Sequence, residues 1–344
     1  MIKRKAKRID KTDFSELFAM LPATENPVQT SLDDVPVIVH EDHRWLLPIA
    51  YFAQEKKLLP KPCTLTVFDQ HDDGVKPDCT PGLLDPNISL RALIDLCQAP
   101  PRQSTAVAPE LSRHLRPLDD DWVKAGMELG IFGDAVIFGG WERGGRRDSS
   151  QLYTDKATGK PHSIKIVSLP KAALSFKGEL SDWAREFEPI WKILGWTQKG
   201  GFHFEDGLPK ALLSIDLDCF ACSCHGQTFS WPTKLFEAEF LSPTYCSEWT
   251  GKRFLHSLIA KAGIVAIARE SECTGGPEES QLILEGLNSH AFDGELFRHG
   301  LGQSVSLRQR LEESGRKQAE ERKRVGAEPP PLPLRRRPKP GRVQ

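Results

Sequence analysis

The sequence predicts an α/β fold, a three-layer α/β/α domain built on a mostly parallel central sheet. Short apolar or β-branched segments alternate with amphipathic segments of helical length, and the links between them are short. The apolar segments have few polar interruptions, which is typical of strands covered on both faces. Hydrophobic residues make up 39% of the chain and charged residues 27%, so a large core can be buried.

The strands and helices follow from this alternation. We predict strands at 35–40, 64–68, 134–139, 163–169, 211–217 and 263–269. We predict helices at 45–57, 89–97, 120–129, 180–194, 233–240 and 251–262. Asp120 or Asp121 can cap the third helix, and Gly130 can end it. Residues 142–160, rich in Gly, Arg, Ser and Asp, are interpreted as a surface excursion that forms a hairpin over the sheet edge.

Three regions are predicted along the 344 residues. Residues 1–30 are a polar lead-in with one short amphipathic helix at 14–20, and residues 31–301 are the main domain. Residues 302–344 are predicted to be a charged helix followed by a disordered Pro/Arg-rich tail. Within this tail, residues 330–335 match an SH3 ligand, although a solubilising tail is the simpler interpretation.

Composition excludes several classes of protein. The net charge is -1, which does not favour nucleic acid or a membrane surface as a partner. No apolar run approaches the roughly 20 residues needed to span a bilayer. The basic residues 1–8 are not followed by an apolar segment, so they are not a secretory signal. Eight cysteines in such a chain predict reduced thiols and a cytoplasmic protein.

Acidic residues and histidines follow three of the predicted strands. Asp69, His71 and Asp73 come directly after the strand at 64–68, and strand alternation would place them on one side. By the same alternation Asp72 points the other way. Asp216 and Asp218 lie at the end of the strand at 211–217, and the same alternation would place them on one side.

A third strand end, at 35–40, runs into two histidines. Either His40 or His43 can join the carboxylates, because the carboxyl ends of parallel strands meet at one edge of the sheet. A buried cluster of four carboxylates requires protons or metal ions. Oxygen donors with one or two imidazoles suit Mn²⁺ better than Zn²⁺ or Fe²⁺. The simpler alternative is two solvated acidic turns.

The order of these motifs resembles that of the arginase/deacetylase superfamily. Its ureohydrolase members carry Gly-Asp-His, Asp-x-His-x-Asp and Ser-x-Asp-x-Asp in that order, and this chain has Glu41-Asp42-His43, Asp69-Gln70-His71-Asp72-Asp73 and Ser214-Ile215-Asp216-Leu217-Asp218. The chain looks closest to the peptide arginase-like branch, through residues 36–74 and 264–273. The resemblance covers about residues 35–290.

The resemblance implies a metal-dependent hydrolase of linear amidines with an arginase-like catalytic domain at 31–301. Its substrate would be an arginine-containing peptide, whose guanidino group is hydrolysed to leave ornithine and urea. Two Mn²⁺ ions would bridge a hydroxide. The implied ligands are His43, Asp69, Asp73 and Asp216 for one or both ions, with His71 and Asp218 completing the second.

The resemblance and the chemistry also suggest substrate and proton-transfer residues. A carboxylate is needed to orient the guanidinium, and Glu270 or Glu272 is the candidate, with the resemblance favouring Glu272. Asp73, with Asp72 as the alternative, could relay a proton to the leaving amine. His71 is assigned to catalysis as well as to the metal.

The chain departs from arginases that act on free arginine. Ala221 and Cys222 stand where those enzymes continue their second acidic motif, and residues 78–84 lack the histidine of the loop that grips the amino acid. Both departures favour a peptidyl substrate. They leave the proton shuttle unassigned among four histidines: His114, His162, His203 and His225.

Other interpretations are kept open. The chain could be a metal-dependent amidohydrolase or deacetylase, or a non-catalytic interaction protein that keeps the fold. Residues 219–225 contain three cysteines and a histidine, but we expect reduced thiols there and no structural zinc. Trp141 and Trp231 could line a peptide groove or pack in the core. Whether the chain forms a homo-oligomer is also left open.

Overall fold

The structure is a computed structural model. It describes residues 12–32, 34–71, 84–100, 118, 121–139, 149–168, 196–197, 203–204, 210–224, 227–241 and 250–298. The chain divides into two units, Met1–Gly302 and Gln303–Gln344, and every described residue belongs to the first. The helix predicted at 180–194 and the tail predicted at 302–344 lie outside the described residues.

The described residues contain twelve strands. They are β1 (Val28–Leu32), β2 (Val35–His40), β3 (Cys63–Phe68), β4 (Phe132–Gly139), β5 (Ser149–Thr154), β6 (Pro161–Ser168), β7 (Trp196–Thr197), β8 (His203–Phe204), β9 (Ala211–Asp216), β10 (Ala221–Cys224), β11 (Gln227–Ser230) and β12 (Ala262–Ala268). Eight of them form one sheet in the order β1-β2-β12-β9-β3-β4-β6-β5. The six inner strands are parallel, and β1 and β5 pair antiparallel at the two edges. The prediction of an α/β fold with a mostly parallel sheet is confirmed.

Helices precede and connect these strands. The α-helices are Ser15–Phe18, Leu46–Glu55, Leu90–Cys97, Trp122–Glu128, Thr233–Phe236, Gly251–Ile259, Ser271–Thr274, Pro277–His290 and Glu295–Arg298. A π-helical turn at Glu237–Leu241 follows the fifth of them, and 3-10 turns occupy Ala23–Glu25, His43–Trp45 and Leu217–Phe220. Within the described residues, no helix is long and apolar enough to cross a membrane.

Successive residues of the inner strands face two separate apolar clusters. Val67 and its neighbours on one side pack with the helices that carry Leu47 and Trp122, and we call this side the Trp122 face. Phe68 points to the other side, the Phe254 face, where its ring lies 5.1 Å from that of Phe138. This alternation explains why the strands have almost no polar interruptions, because both sides of each strand are buried.

The connections that follow β3 and β9 run in opposite directions across the sheet. In the sheet, β3 and β9 are neighbours, with β4 next to β3 and β12 next to β9. The connection from β3 to β4 contains helices that pack on the Trp122 face. The connection from β9 to β12 contains helices that pack on the Phe254 face. The connections therefore diverge from the carboxyl ends of β3 and β9. Ligand sites of open α/β sheets lie at such a point.

The sequence predicted some of the remaining elements and missed others. The hairpin predicted within residues 142–160 is present in its described part, where β5 pairs with β6 at the sheet edge. The edge strand β1, the small hairpin of β10 and β11 and the long helix Pro277–His290 were not predicted. The predicted helix at 233–240 is a single α-helical turn that continues as the π-helical turn.

Candidate metal centre

Two groups of three side chains lie at the carboxyl ends of four neighbouring parallel strands. Group 1 comprises His43, Asp216 and Glu270, from the ends of β2, β9 and β12. Group 2 comprises Asp69, His71 and Asp218, from the ends of β3 and β9. In each group, one oxygen or nitrogen atom per residue lies within 4.8 Å of the others. Each group could therefore hold a metal ion.

Group 1 is centred on the imidazole of His43. Its Nδ1 atom lies 3.1 Å from Oδ2 of Asp216 and 3.9 Å from Oε1 of Glu270. The same Glu270 oxygen accepts a hydrogen bond from the backbone N–H of His43 at 2.7 Å. His43 and Asp216 are buried, and the Glu270 side chain is 19% exposed. Glu270 therefore forms the solvent-facing side of group 1.

Group 2 is more open to solvent. Nδ1 of His71 lies 2.8 Å from Oδ2 of Asp218 and 3.7 Å from Oδ1 of Asp69. Oδ1 of Asp218 also accepts the backbone N–H of Gln70 at 3.1 Å, which ties the loop after β3 to the end of β9. Asp69 and Asp218 are buried, whereas the His71 side chain is 52% exposed. A ligand can thus reach group 2 from the His71 side.

The two groups adjoin each other. Nδ1 of His43 in group 1 lies 3.9 Å from Oδ2 of Asp69 in group 2. Asp218 of group 2 donates its backbone N–H to Oδ1 of Asp216 at 3.0 Å. Two ions bound in these groups would therefore be neighbours. Asp73, a predicted ligand and proton relay, lies outside the described residues, as does Asp72.

The backbone that presents these side chains differs from the sequence prediction. We predicted that strand alternation would bring Asp216 and Asp218 to the same side. Instead β9 ends at Asp216, whose carboxylate caps the 3-10 turn Leu217–Phe220, and this turn presents Asp218. As a result Asp216 faces group 1 and Asp218 faces group 2. A polar residue that caps its own turn favours this change of direction over a continued strand.

The carboxylates of the cluster repel one another. Burial, followed by the nearby carboxylates of Asp218, Asp69 and Glu270, raises the pKa of Asp216 well above its usual value. Three of these four carboxylates are almost completely withdrawn from water. A divalent cation would remove both the repulsion and the cost of burial. The donor set of carboxylate oxygens and imidazole nitrogens fits such a cation.

The choice between His40 and His43 is clear in the structure. His40 is buried, donates from Nδ1 to the carbonyl of Asp42 at 3.0 Å and belongs to neither group. Burial, with a further contribution from His43, lowers its pKa to about 3. His43 instead begins the 3-10 turn capped by Asp42, and this turn directs its ring into group 1.

An indole packs against the His43 ring and was not assigned to the site from the sequence. The rings of Trp122 and His43 lie 5.2 Å apart, and Trp122 in turn packs edge-on against Phe132 at 6.1 Å. Trp122 is completely buried. It therefore restricts the orientation of the His43 ring. Trp122 is distant from His43 in the sequence, so no local pattern connects them.

The two glutamates proposed to hold substrate have different positions. Glu270 lies within group 1, whereas Glu272 is exposed on the short helix Ser271–Thr274 and belongs to neither group. Of the two candidates, Glu270 is therefore the one that lies among the possible metal ligands.

Of the four histidines considered as proton shuttles, His162 is described and lies elsewhere. Its Nδ1 is 3.1 Å from the carbonyl of Gly133, and its Nε2 is 3.1 Å from Oδ2 of Asp155. These contacts lie at the start of β6, at the amino ends of the parallel strands, whereas both groups lie at the carboxyl ends. The side chain of His203 and all of His114 and His225 lie outside the described residues. His162 is therefore a structural residue.

Asp155 supplies one stability prediction. Burial opposes its ionisation, but hydrogen bonds from Thr158, His162 and Lys160 outweigh burial and lower its pKa to about 2. We expect Asp155→Asn to reduce the free energy of unfolding at neutral pH by about 1–3 kcal/mol. Because the folded pKa lies below the ordinary value of 3.8, this contribution is present above that value and is lost as pH falls through about 2.

Denaturant unfolding of the wild type and of Asp155→Asn at a series of pH values measures this difference. Asp85 also accepts a backbone N–H, from Asn87, but is exposed, so Asp85→Asn is the matched control and should change stability little. A difference between wild type and Asp155→Asn that stays constant down to pH of about 2 would contradict the assignment.

The remaining candidates for a site are partly described. Trp231 is buried, with its ring 5.3 Å from Phe220, so it packs in the core and does not line a groove. Trp141 lies outside the described residues. Within residues 219–225, Cys219 is a buried cysteine next to Asp218, and the side chains of Cys222 and Cys224 are not described.

Comparisons with known proteins do not assign the chain. No model of a known protein family matches it. No curated protein matches it in sequence. The geometry of groups 1 and 2 is therefore the basis on which a function is proposed.

Proposed function

We propose that the chain is a metal-dependent hydrolase, similar to peptide arginases, that converts peptidyl arginine to ornithine and urea. One observation supports this above all: carboxylates and imidazoles from four neighbouring strands, four of the six buried, form two adjoining groups where the sheet connections diverge. The three-layer arrangement of the arginase/deacetylase superfamily is part of the proposal. Apolar clusters with helices on both faces of the sheet are consistent with it.

The proposed cofactor is a pair of Mn²⁺ ions. Each group offers two carboxylates and one imidazole, a set that suits Mn²⁺ among divalent ions. When bound, such a pair activates water near neutral pH and stabilises developing negative charge. Group 1, whose most exposed side chain is that of Glu270 at 19%, would hold its ion more firmly than group 2, where the His71 side chain is 52% exposed.

The residues of the chain would bind and orient the substrate cation. A guanidinium is a planar cation with delocalised charge, so carboxylates bind it through paired hydrogen bonds and fix the position of its carbon atom. Glu270 is the carboxylate of group 1 that reaches the solvent-facing side. Glu272, farther out, would contact the peptide around the arginine.

Proton transfer to the leaving amine is assigned to the exposed side of group 2. His71 is oriented by Asp218 through the 2.8 Å contact of its Nδ1, and its ring is accessible to solvent. An imidazole held in this way can give a proton to the departing ornithine side chain and exchange it with water. Asp73, which follows closely in the sequence, keeps its predicted role as an additional proton relay.

The test uses the purified full chain, loaded with Mn²⁺ and incubated with a mixture of short arginine peptides of varied flanking sequence. We expect urea in solution and a mass loss on the peptide equal to CH₂N₂, the difference between arginine and ornithine. Free arginine should be converted far more slowly, because the sequence lacks the loop histidine that grips a free amino acid.

The controls separate the alternatives. Acetyl-lysine peptides test for a deacetylase, because acetate would then appear in place of urea. The chelated, metal-free protein should be inactive with every peptide. Two bound metal ions without urea from any arginine peptide would contradict the proposed reaction, and absence of bound metal would contradict the proposed class of enzyme.

A further inference from the structure

Glu270 has an unusual backbone conformation. Its φ and ψ angles are 43° and 52°, in the left-handed region that non-glycine residues seldom occupy. Such a conformation is strained and persists only where the surroundings hold it. It occurs where β12 has just ended, and the Glu270 carboxylate turns back into group 1. The residues that maintain it therefore bear on the proposed metal site.

Glu41, on the loop after β2, contacts this turn twice. Its backbone carbonyl accepts the N–H of Glu270 at 2.8 Å, and its carboxylate Oε1 accepts the N–H of Ser271 at 3.2 Å. Two successive backbone donors are thus bound by one residue. On the other side, the carbonyl of Glu270 accepts the N–H and the hydroxyl of Thr274, at 2.9 and 3.1 Å. The left-handed residue is held from both directions.

Glu270 in turn contacts the loop after β2. The Glu270 carboxylate accepts the backbone N–H of His43, which lies two residues beyond Glu41. The loops after two neighbouring strands, β2 and β12, therefore bind each other reciprocally. Glu41 fixes the backbone of Glu270, and Glu270 fixes the backbone of His43. Both of the fixed residues belong to group 1, while Glu41 does not.

Glu41 interacts electrostatically with a buried cation, the guanidinium of Arg269. Arg269, directly before Glu270, is 94% withdrawn from water, since its exposure is 6%. Burial lowers the pKa of Arg269, and Glu41 is the charge that opposes this shift. The attraction favours a Glu41 carboxylate that stays on the β12 side of the loop, where it meets the Ser271 N–H.

We propose that Glu41 is a positioning residue of the metal centre, one that holds Glu270 in its left-handed conformation and thereby completes group 1. The inference rests on the proposed metal binding. Group 2 does not contact Glu41 in any described interaction, so its affinity should be independent of this residue. Outer residues that orient metal ligands typically change affinity by about 10–100-fold when removed.

The experiment titrates Mn²⁺ into the metal-free full chain and resolves two equivalents. Glu41→Ala should weaken one equivalent by about 10–100-fold and leave the other unchanged. Glu41→Gln should stay within a few-fold of the wild type, because its amide oxygen can still accept the Ser271 N–H. Glu278→Ala, on an exposed glutamate of the next helix, is the matched control and should leave both equivalents unchanged.

A double-mutant cycle tests whether Glu41 acts through Glu270. In a Glu270→Gln background, Glu41→Ala should have no further effect on the weakened equivalent. Wild-type affinity in Glu41→Ala, or an equal effect of this change with and without Glu270, would overturn the inference. A wild-type chain that binds no Mn²⁺ would overturn both this inference and the proposed function. Loss of one equivalent in Glu41→Ala would support the inference even if no peptide yields urea.

Discussion

Asp216→Asn is expected to have opposite effects on the protein with and without metal. Without metal, Asp216 is buried among three other carboxylates, which raises its pKa well above the usual value. The unfolded chain ionises freely, so the folded state is disfavoured at neutral pH whether Asp216 is charged or protonated. Removing this acid should therefore stabilise the metal-free protein by about 1–4 kcal/mol.

With metal, the same change removes a ligand of group 1. The asparagine amide keeps the hydrogen bond from the Asp218 N–H, so the turn that follows β9 should be preserved. The ion of group 1 should be lost, and with it the stabilisation that binding provides, about 2.7 kcal/mol at a free metal concentration 100 times Kd. Peptide turnover should fall below detection.

Thermal unfolding of both proteins, with Mn²⁺ and with chelator, measures the two effects together with metal content. Asp134→Asn is the matched control. Asp134 also accepts a backbone N–H, from Ser163, but it lies near the amino end of β4, whereas Asp216 lies at the carboxyl end of β9. A metal-free Asp216→Asn protein less stable than the metal-free wild type would show that the carboxylates do not repel one another as described.

The second large effect is a contrast between two glutamates. Glu270→Gln should weaken the binding of one metal equivalent and reduce turnover by more than about 100-fold, because Glu270 belongs to group 1 and also holds the backbone of His43. Glu272→Gln should keep both metal equivalents. Since Glu272 is exposed, its loss should raise KM by less than about fivefold and leave kcat unchanged.

Metal content and steady-state kinetics of the two variants give the answer directly. Both changes replace one carboxylate by an amide of the same shape, so differences in packing are small. If Glu272→Gln lost the metal or most of the turnover while Glu270→Gln retained them, the assignment of Glu270 to group 1 would be wrong.

The sequence predicted the inner sheet well because its strands leave a local signature. Six of the eight strands of the large sheet, β2, β3, β4, β6, β9 and β12, were predicted from segments that are largely apolar and buried, although β6 also contains the partly exposed Ser163 and Lys165. The edge strand β1 was missed since it contains Gln29, Thr30 and Ser31, which weaken that signature. The helix Pro277–His290 was missed although Pro277 and two glutamates in its first turn are typical of a helix start.

For the site, the sequence predicted five of the residues that meet, but not that Glu270 joins them as a possible metal ligand or how they divide into two groups. Acidic residues directly after buried strands pointed to the correct edge of the sheet. The division into two groups depends on features without a local signature, above all the 3-10 turn that separates Asp216 from Asp218 and the left-handed conformation of Glu270. The packing of Trp122 on His43 depends on contacts between distant segments.

The place of β12 in the sheet has a consequence for the order in which the molecule is built. This strand is the last of the sheet to be synthesised, yet it lies between β2, near the start of the domain, and β9. The earlier strands must leave a gap or pair provisionally until it arrives, which makes folding slow and dependent on remote contacts. Glu270 emerges from the ribosome directly behind it, so group 1 can be assembled only after β12 has been synthesised.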